Sequence, residues 1–248
     1  MRVIYILWLR QIKRFFRAKS RIFGAIGQPL LFLVALGYGI GSIYAKAGQG
    51  NYLEFLVPGI MAQTVLFSAM FYGAMIMFDR QFGFLKETLV APVSRLKIML
   101  GGALGGATTA VIQGLLVLII SLALGFRPEH WALVPVAIAI LSLLAIAIAC
   151  FSSAIGSFVQ DMQGFQAINQ LLVFPLYFLS GALYPLDHVP TWLRIVAEFN
   201  PMSYAVDAMR DTLIGQTHFG LIKDLIVLFI VVIAMISFGA YRFRHIEA

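Results

Sequence analysis

Six stretches of this sequence contain no aspartate, glutamate, lysine or arginine, and this pattern limits the fold more than any other feature. They cover residues 22–45, 55–78, 98–126, 131–160, 162–186 and 225–241. A helix that rises 1.5 Å per residue needs about 20 apolar residues to cross about 30 Å of hydrocarbon, and each stretch reaches or nearly reaches that length. Lipid offers backbone groups no other partner, and the alternation typical of a membrane β-barrel is absent from the sequence. The sequence therefore predicts an all-α membrane protein with six transmembrane helices.

The composition agrees with this prediction. Of the 248 residues, 61% are hydrophobic and 12% are charged, whereas about a quarter of the residues of a soluble domain are charged. One core could not enclose so much apolar surface, so lipid must cover part of it. The sequence shows no internal repeat of useful length and no disordered linker. We expect a single transmembrane domain over residues 1–248.

Basic residues lie mainly on one side of the predicted spans. Thirteen fall on the side that holds both chain ends and five on the other. The thirteen are Arg2, Arg10, Lys13, Arg14, Arg17, Lys19, Arg21, Arg80, Lys86, Arg95, Lys97, Arg242 and Arg244. The positive-inside rule then predicts that both termini are cytoplasmic. The net charge of +7 is a signal of membrane orientation, and nucleic-acid binding is not expected.

Residues 1–21 are predicted to form an amphipathic interfacial helix. At about 100° per residue, one face carries Ile4, Trp8, Ile12, Phe15 and Phe16, and the opposite face is basic. Such a helix lies in the cytoplasmic interface with its apolar face toward the acyl chains. It serves as a topology anchor alone, or it also contacts a cytoplasmic partner.

Residues 185–216, between the fifth and sixth spans, are broken by prolines and predict short re-entrant outer helices. Asn200 followed by Pro201 fits an N-cap and the first position of a helix. On that helix we expect Arg210 to pair with Asp207, three residues earlier. A structural clamp is the favoured interpretation of this pair, and a substrate site is the alternative.

The spans lack the residues that drive transport or catalysis elsewhere. Ion-coupled carriers place ionisable side chains inside the membrane, and the charge-free stretches supply none. The sequence also lacks the H-E-x-x-H and G-x-S-x-G motifs and the P-loop motif G-x-x-x-x-G-K-[S/T]. We expect no catalytic residue, metal or cofactor in this chain, so energy for any transport must come from outside it.

Between the second and third spans lies the segment FGFLKETLVAPVSRLK, residues 82–97. Apolar side chains at positions 82, 84, 85, 89 and 90 alternate with polar ones, and Pro92 breaks the pattern. A short helix with exposed apolar side chains suits docking into a groove of a soluble partner. The alternative is an interfacial helix that rests on the bilayer.

Three segments resemble bacterial ABC type-2 export permeases. FGFLKETLVAPVSRLKIMLGG resembles their first cytoplasmic loop, which usually contains T-P-V-S-R, and here alanine stands in place of the threonine. NPMSYAVDAMRD is similar to their N-P-x-x-Y-x-x-D-x-x-R segment, and YLEFLVPGIMAQTV to the start of their second span. With the six spans and the N-terminal helix, the resemblance covers essentially the whole chain.

The resemblance implies two membrane subunits, expected to be identical, in a bacterial or archaeal plasma membrane. Each would sit on a separate ABC-type ATP-binding subunit that holds ATP and Mg²⁺. It implies ATPase-coupling contacts at Phe82, Phe84, Leu85, Lys86, Glu87, Thr88, Leu89, Pro92, Arg95 and Asp161. It implies a gate or connector helix with Arg10, Arg14 and Arg17, and an outer clamp of Asn200, Pro201, Tyr204, Asp207 and Arg210.

A substrate path is predicted between the second and fifth spans. Its candidates are Gln63, Phe67, Phe71, Tyr72, Asn169, Phe174 and Tyr177, and packing is the alternative role for the aromatic ones. Aromatic rings stack equally well on sugars and on planar drugs. The expected function is export of an amphiphilic drug or lipid-like molecule. A lipid-linked glycan or polysaccharide exporter and a membrane scaffold that transports nothing are the alternatives.

Overall fold

A computed structural model describes residues 2–39, 41–46, 51–90, 92–244 and 246, and within these residues the chain is helical and has no strand. Eleven α-helices are numbered here in chain order. They are α1 (Arg2–Arg17), α2 (Lys19–Gly39), α3 (Gly41–Lys46), α4 (Tyr52–Gln81), α5 (Phe84–Val90), α6 (Arg95–Ala123), α7 (Val134–Phe158), α8 (Met162–Phe178), α9 (Thr191–Phe199), α10 (Pro201–Ile214) and α11 (Leu221–Arg244). Single 3₁₀ turns at Trp131–Leu133 and Leu186–His188 precede α7 and α9. The all-α prediction is confirmed.

Four helical segments in the described part are long and apolar enough to cross a membrane. They are α4, α6, the 3₁₀ turn together with α7, and α11. They contain most of the second, third, fourth and sixth predicted spans. The first predicted span overlaps α2 and α3, and its described apolar stretch, Ile26–Gly39, is shorter than these four segments.

The fifth predicted span is shorter than the sequence suggested. It was expected to run to residue 186, but α8 ends at Phe178 after 17 residues. Pro175 cannot donate a backbone hydrogen bond, and Gly181 has a positive φ of 73° that turns the chain. A helix of this length falls short of the roughly 20 residues of an upright crossing.

Several helices extend beyond the charge-free stretches, so ionisable residues lie within them. α4 includes Asp79 and Arg80 close to its end. α11 begins at Leu221, before the expected start at residue 225, and so includes Asp224, which is fully buried. At the end of α4 and the start of α11, the helix therefore continues past the charge-free stretch.

α4 is the central helix and packs closely against α7. The Gly73 N–H donates to Ser152 Oγ at 2.8 Å, and the same hydroxyl donates to the Met70 carbonyl. On α7, a Cβ added to Gly156 would lie 2.6 Å from the Gly73 carbonyl oxygen. Both backbones therefore approach each other where side chains larger than hydrogen would not fit.

The glycines at the start of α6 contact two different neighbouring helices. Gly101 and Gly105 face α1, where an added Cβ on Gly105 would lie 2.6 Å from the Gln11 Cβ. Gly102 and Gly106 face the Tyr72 side chain of α4. Small-xxx-small pairs of this kind let neighbouring helices approach closely.

Two short helices, α9 and α10, occupy the segment predicted as an outer re-entrant hairpin. Asn200 caps α10 by accepting from the Met202 N–H at 3.0 Å, and Pro201 fills its first position. Gly215 ends α10 with a φ of 64°, a conformation that favours glycine. The predicted cap is confirmed, whereas the depth of the hairpin in a membrane stays a prediction.

We predict that Gly156→Ala destabilises the bundle by about 1–3 kcal/mol, since the added methyl group forces α7 away from α4. Gly27→Ala on α2 is the matched control, because its Cβ would meet no described atom within 4 Å. Thermal unfolding in detergent measures both. Equal midpoints for the two variants would show that α4 and α7 are not in tight contact.

Candidate functional site

The candidate site is the turn between α4 and α6. Gly83, with a φ of 79°, reverses the chain directly after α4, and any side chain there would be strained. The short helix α5 follows, and Thr88 Oγ1 donates back to the Phe84 carbonyl at 2.9 Å. Ser94 then begins α6 by accepting from the Lys97 N–H through its carbonyl, and Pro92 lies exposed between the two helices. The predicted break at Pro92 is confirmed.

Exposed apolar side chains cluster on this turn, and we call Phe82, Phe84 and Val90 the α5 patch. Phe82 is 70% exposed, Phe84 50% and Val90 85%. Leu85 is buried and anchors α5 to the core, whereas Glu87 is exposed. The side chains of Lys86 and Leu89, also predicted here, lie outside the described residues. Apolar groups presented together beyond the ends of long helices are typical of a protein docking surface.

α1 packs against α6 and does not rest on lipid alone. Trp8 Nε1–H donates to Thr108 Oγ1 at 3.0 Å, and Phe15 is buried. The apolar face predicted for the lipid is thus largely a protein contact, because glycines of α6 let α1 approach. Tyr5 and Phe16 stay exposed beside it.

Two of the three predicted arginines of α1 bind the end of α4. Arg10 contacts Asp79 Oδ2 at 2.8 Å, and Arg14 contacts Asp79 Oδ1 at 3.2 Å. The Asp79 carboxylate is buried, so both of its oxygens are paired with cations, as a buried charge requires. Arg17 is exposed. The sequence analysis missed this contact, because Asp79 lies 69 residues from Arg10.

The next residue along α4 holds a different helix. Arg80 donates to the Ser157 carbonyl at 2.8 Å and to the Val159 carbonyl at 3.0 Å. These carbonyls lie at the carboxyl end of α7, where they have no helical donor and where a positive charge is favourable. We call Asp79 and Arg80 the α4 end pair. It joins α1, α4 and α7 directly before the α5 patch.

The turn from α7 to α8 lies beside this pair. Asp161, predicted as an ATPase contact, caps α8 by accepting from the Gly164 N–H at 2.6 Å, and its side chain is exposed. Arg95 at the start of α6 donates to the carbonyls of Arg244 and Ile246 at the end of α11. The predicted coupling residues of α5, α6 and α8 therefore share one end of the bundle with α1 and the end of α11.

The outer clamp contacts differ from the expected ones. The predicted pairing of Arg210 with Asp207 is wrong, because Arg210 donates to the carbonyls of Phe55, Gly181 and Ala182 instead. Its guanidinium also lies 3.6 Å from the centre of the Phe55 ring. Burial lowers the pKa of Arg210 to about 10, against the opposite influence of Asp207, so it remains charged at neutral pH.

Asp207 stabilises a different segment, the loop before α11. Its carboxylate accepts from the His218 N–H at 2.9 Å, from the Phe219 N–H at 2.7 Å and from Thr217 Oγ1 at 3.2 Å. Tyr204, on the same helix, donates to the Glu198 carbonyl at 2.6 Å. Asn200 donates to the Leu176 carbonyl at 2.7 Å. These contacts join α10 to its neighbours, as a structural clamp would.

The predicted substrate-path residues fall into two groups. Gln63, Phe67 and Phe71 line a cavity, and the Phe67 ring meets Phe174 of α8 edge to face at 5.9 Å. Tyr72 is buried and donates to the Met99 carbonyl at 3.4 Å. Asn169 Oδ1 and the hydroxyl of the fully buried Tyr177 have no partner among the described residues. Tyr72 is thus held within the helix packing, and the roles of Asn169 and Tyr177 in a substrate path stay predictions.

Comparison with known families agrees with this arrangement. The family model described as "ABC-2 type transporter" matches residues 2–214. The chain belongs to the ABC-2 type transporter family. The matched region contains α1, the α4 end pair, the α5 patch and α10, so the features described above are those of an ABC-2 type transporter domain.

Named relatives of this ABC-2 chain include permeases from several organisms. Transport permease ycf38 of Cyanophora paradoxa is 32% identical over 210 residues, which cover 80% of this chain and 71% of the relative. Nodulation protein J of Rhizobium leguminosarum bv. trifolii is 28% identical, covering 86% and 79%. The daunorubicin resistance ABC transporter permease protein DrrB1 of Streptomyces coeruleorubidus is 24% identical, covering 96% and 85%.

We predict that Asp79→Asn loosens α1, because the amide replaces an anion that pairs two cations. Both arginine side chains are 42% exposed, so solvent screens the pairs and we expect a loss of only about 1 kcal/mol. Hydrogen exchange should therefore quicken about fivefold over Arg2–Arg17. Arg17→Gln is the control and should change nothing. Unchanged exchange in Asp79→Asn would show that this contact does not hold α1.

Proposed function

We propose that this chain is the membrane subunit of an ATP-driven exporter, and that the α5 patch docks on a separate ATP-binding subunit. The observation that carries the proposal is an exposed apolar patch placed directly after the α4 end pair. The sequence has no P-loop of its own, so ATP and Mg²⁺ would bind to the partner. Membership of the ABC-2 family supports such a partner.

The contacts suggest how the motion of a partner would reach the membrane. Leu85 fixes α5 to the core, so a push on the α5 patch moves the end of α4 with it. Asp79 transfers that motion to α1, and Arg80 transfers it to the α7–α8 turn, where Asp161 would form a second contact with the partner. The end of the bundle then moves as one rigid body, the kind of movement that opens and closes transporters.

Two copies of this chain, each on its own ATP-binding subunit, would complete the exporter. Arg10, Arg14, Arg80, Arg95 and Arg242 gather near the end of the bundle that carries the α5 patch. This distribution supports an assignment of that end, and with it both termini, to the cytoplasm of a bacterial or archaeal cell.

The substrate we propose is an amphiphilic drug or lipid-like molecule. One relative is named for daunorubicin resistance, which supports a drug, and another is named for nodulation. The meeting of Phe67 and Phe174 supports a path between α4 and α8. A lipid-linked glycan is the second candidate, since aromatic side chains also stack on sugar rings.

We predict that Phe84→Asp combined with Val90→Asp abolishes assembly with the ATP-binding subunit, since two buried charges would replace apolar contacts. The chain is co-expressed with candidate ABC-type ATP-binding proteins from the same genome, and the amount of co-purified ATPase and its substrate-stimulated hydrolysis are measured. Both should fall at least tenfold. Phe199→Asp, at the opposite end and equally exposed at 85%, is the matched control.

Full co-purification and full hydrolysis in the double variant would contradict the coupling role of α5. The unaltered complex tests the alternative function. If it co-purifies but its activity depends on neither nucleotide nor substrate, the chain is a scaffold that transports nothing.

A further inference from the structure

A cavity of about 300 Å³ lies between α2, α4 and α6. Gly24 and Gln28 contribute from α2, Gln63 and Phe67 from α4, and Gln113 from α6. This volume reaches the lower end of the range for small-molecule sites. The cavity is thus lined by three helices of one subunit.

The lining combines aromatic rings with side-chain amides. Phe67 and Phe71 supply apolar surface, and Gln28, Gln63 and Gln113 supply carboxamides. No ionisable side chain is among the described residues that line the cavity. A charged ligand would lose its hydration here without gaining a counter-charge, so the lining favours an uncharged ligand.

Gln63 shows that the cavity is made for a polar group. The side chain is only 4% exposed, and its Oε1 atom has no hydrogen-bond partner among the described residues. Buried polar atoms are almost always paired, so an unpaired one that lines a cavity points to a missing partner. The neighbouring Thr64 differs, because its hydroxyl donates to the Ile60 carbonyl at 2.8 Å.

A hydroxyl group is the simplest partner for this set of amides. Each carboxamide both donates and accepts, and a hydroxyl does the same with a single oxygen. Several neighbouring hydroxyls could therefore bind Gln63, Gln113 and Gln28 together. The aromatic rings beside them would contact an apolar or planar part of the same molecule.

We propose that this cavity binds an uncharged amphiphile that carries hydroxyl groups, with the hydroxyls on the glutamine amides and the apolar part on Phe67 and Phe71. This proposal narrows the substrate class of the proposed exporter. Only the transport of the bound molecule rests on the exporter function. Binding itself requires neither ATP nor a partner.

A second, smaller space lies beside the cavity, toward α1. Ser68 and Gln113 line both spaces, and the second is also lined by Gln11 and Arg14 of α1. Its volume of about 30 Å³ is enough for a water molecule. The Arg14 charge is paired with Asp79, so this space adds no unpaired cation to the site.

Binding is tested on the full chain in lipid nanodiscs, with radiolabelled dodecyl β-glucoside as the probe. Dodecyltrimethylammonium and dodecyl sulfate have the same alkyl chain with a positive or a negative head group. We expect saturable binding of the glucoside and at least tenfold weaker binding of both ionic probes. Equal binding of either ionic probe, or no saturable glucoside binding, would overturn the proposal.

Two competing ligands distinguish a glycolipid-like substrate from a drug-like one. Octyl β-glucoside carries a sugar head group, and 1,4-dihydroxyanthraquinone is a planar, uncharged, hydroxylated molecule. Displacement by the sugar alone indicates a glycolipid-like substrate, and displacement by the anthraquinone indicates a drug-like one. Either result supports the proposed chemistry, and displacement by neither contradicts it.

Variants locate the binding in this cavity. A Cβ added at Gly24 or at Gly27 would meet no described atom within 4 Å, but only Gly24 lines the cavity. Gly24→Leu should therefore reduce glucoside binding at least tenfold, and its matched control Gly27→Leu should leave it unchanged. Equal binding by these two variants would place the glucoside elsewhere and overturn the proposal.

Gln63 provides an independent test that keeps the cavity open. Gln63→Leu removes the unpaired oxygen and should weaken glucoside binding about fivefold, the effect of one typical hydrogen bond. Gln63→Glu should favour dodecyltrimethylammonium over the glucoside. No change in either variant would contradict the role of this amide. Because the ATP-binding subunit is absent, a failure here is separate from a failure of the exporter function.

Discussion

The α4 end pair is the contact on which the arrangement at one end of the molecule depends. A buried carboxylate must be paired, and Asp79 pairs with two arginines of α1. The carbonyls that end α7 need donors, and Arg80 supplies them. Opposite charges on neighbouring residues thus bind two different helices to α4. Close-packed helices cannot absorb a displacement by compression, so these contacts would pass it on.

Charged side chains also stabilise the opposite end of the bundle, where they pair with backbone carbonyls and N–H groups. Arg210 joins α10 to the start of α4 and to the turn after α8, and Asp207 joins α10 to the loop before α11. Between these fixed ends, glycine contacts bring α4 close to α7, whereas the cavity lies on the other side of α4, toward α2. Space for a ligand therefore lies beside the most firmly held helix of the bundle.

Local patterns in the sequence predicted what depends on neighbouring residues. Charge-free stretches predicted the apolar part of the four helices that are long enough to cross a membrane, and Asn200 with Pro201 predicted the start of α10. Contacts between distant residues could not be predicted in this way. Asp79 lies 69 residues from Arg10, and Arg210 lies 155 residues from Phe55. The three-residue spacing rule gave Arg210 the wrong partner because its buried side chain reaches backbone carbonyls of α4 and of the turn after α8. Gln113 was missed as a cavity residue, although a lone amide in an apolar stretch was a usable signal.

The most direct measurement is the distance between spin labels on the assembled complex, with and without a non-hydrolysable ATP analogue. Tyr5→Cys and Ser94→Cys place labels on exposed positions of α1 and of the turn between α5 and α6, outside the α5 patch, and the native Cys150 is buried. If the α4 end pair makes α1 and this turn one rigid body driven by the partner, the distance between residues 5 and 94 within a subunit stays constant. The distance between the two copies of residue 94 then changes when nucleotide binds. Two results would contradict this coupling. One is a distance between the two copies that does not change with nucleotide, and the other is a change in the distance within a subunit as large as that between the copies.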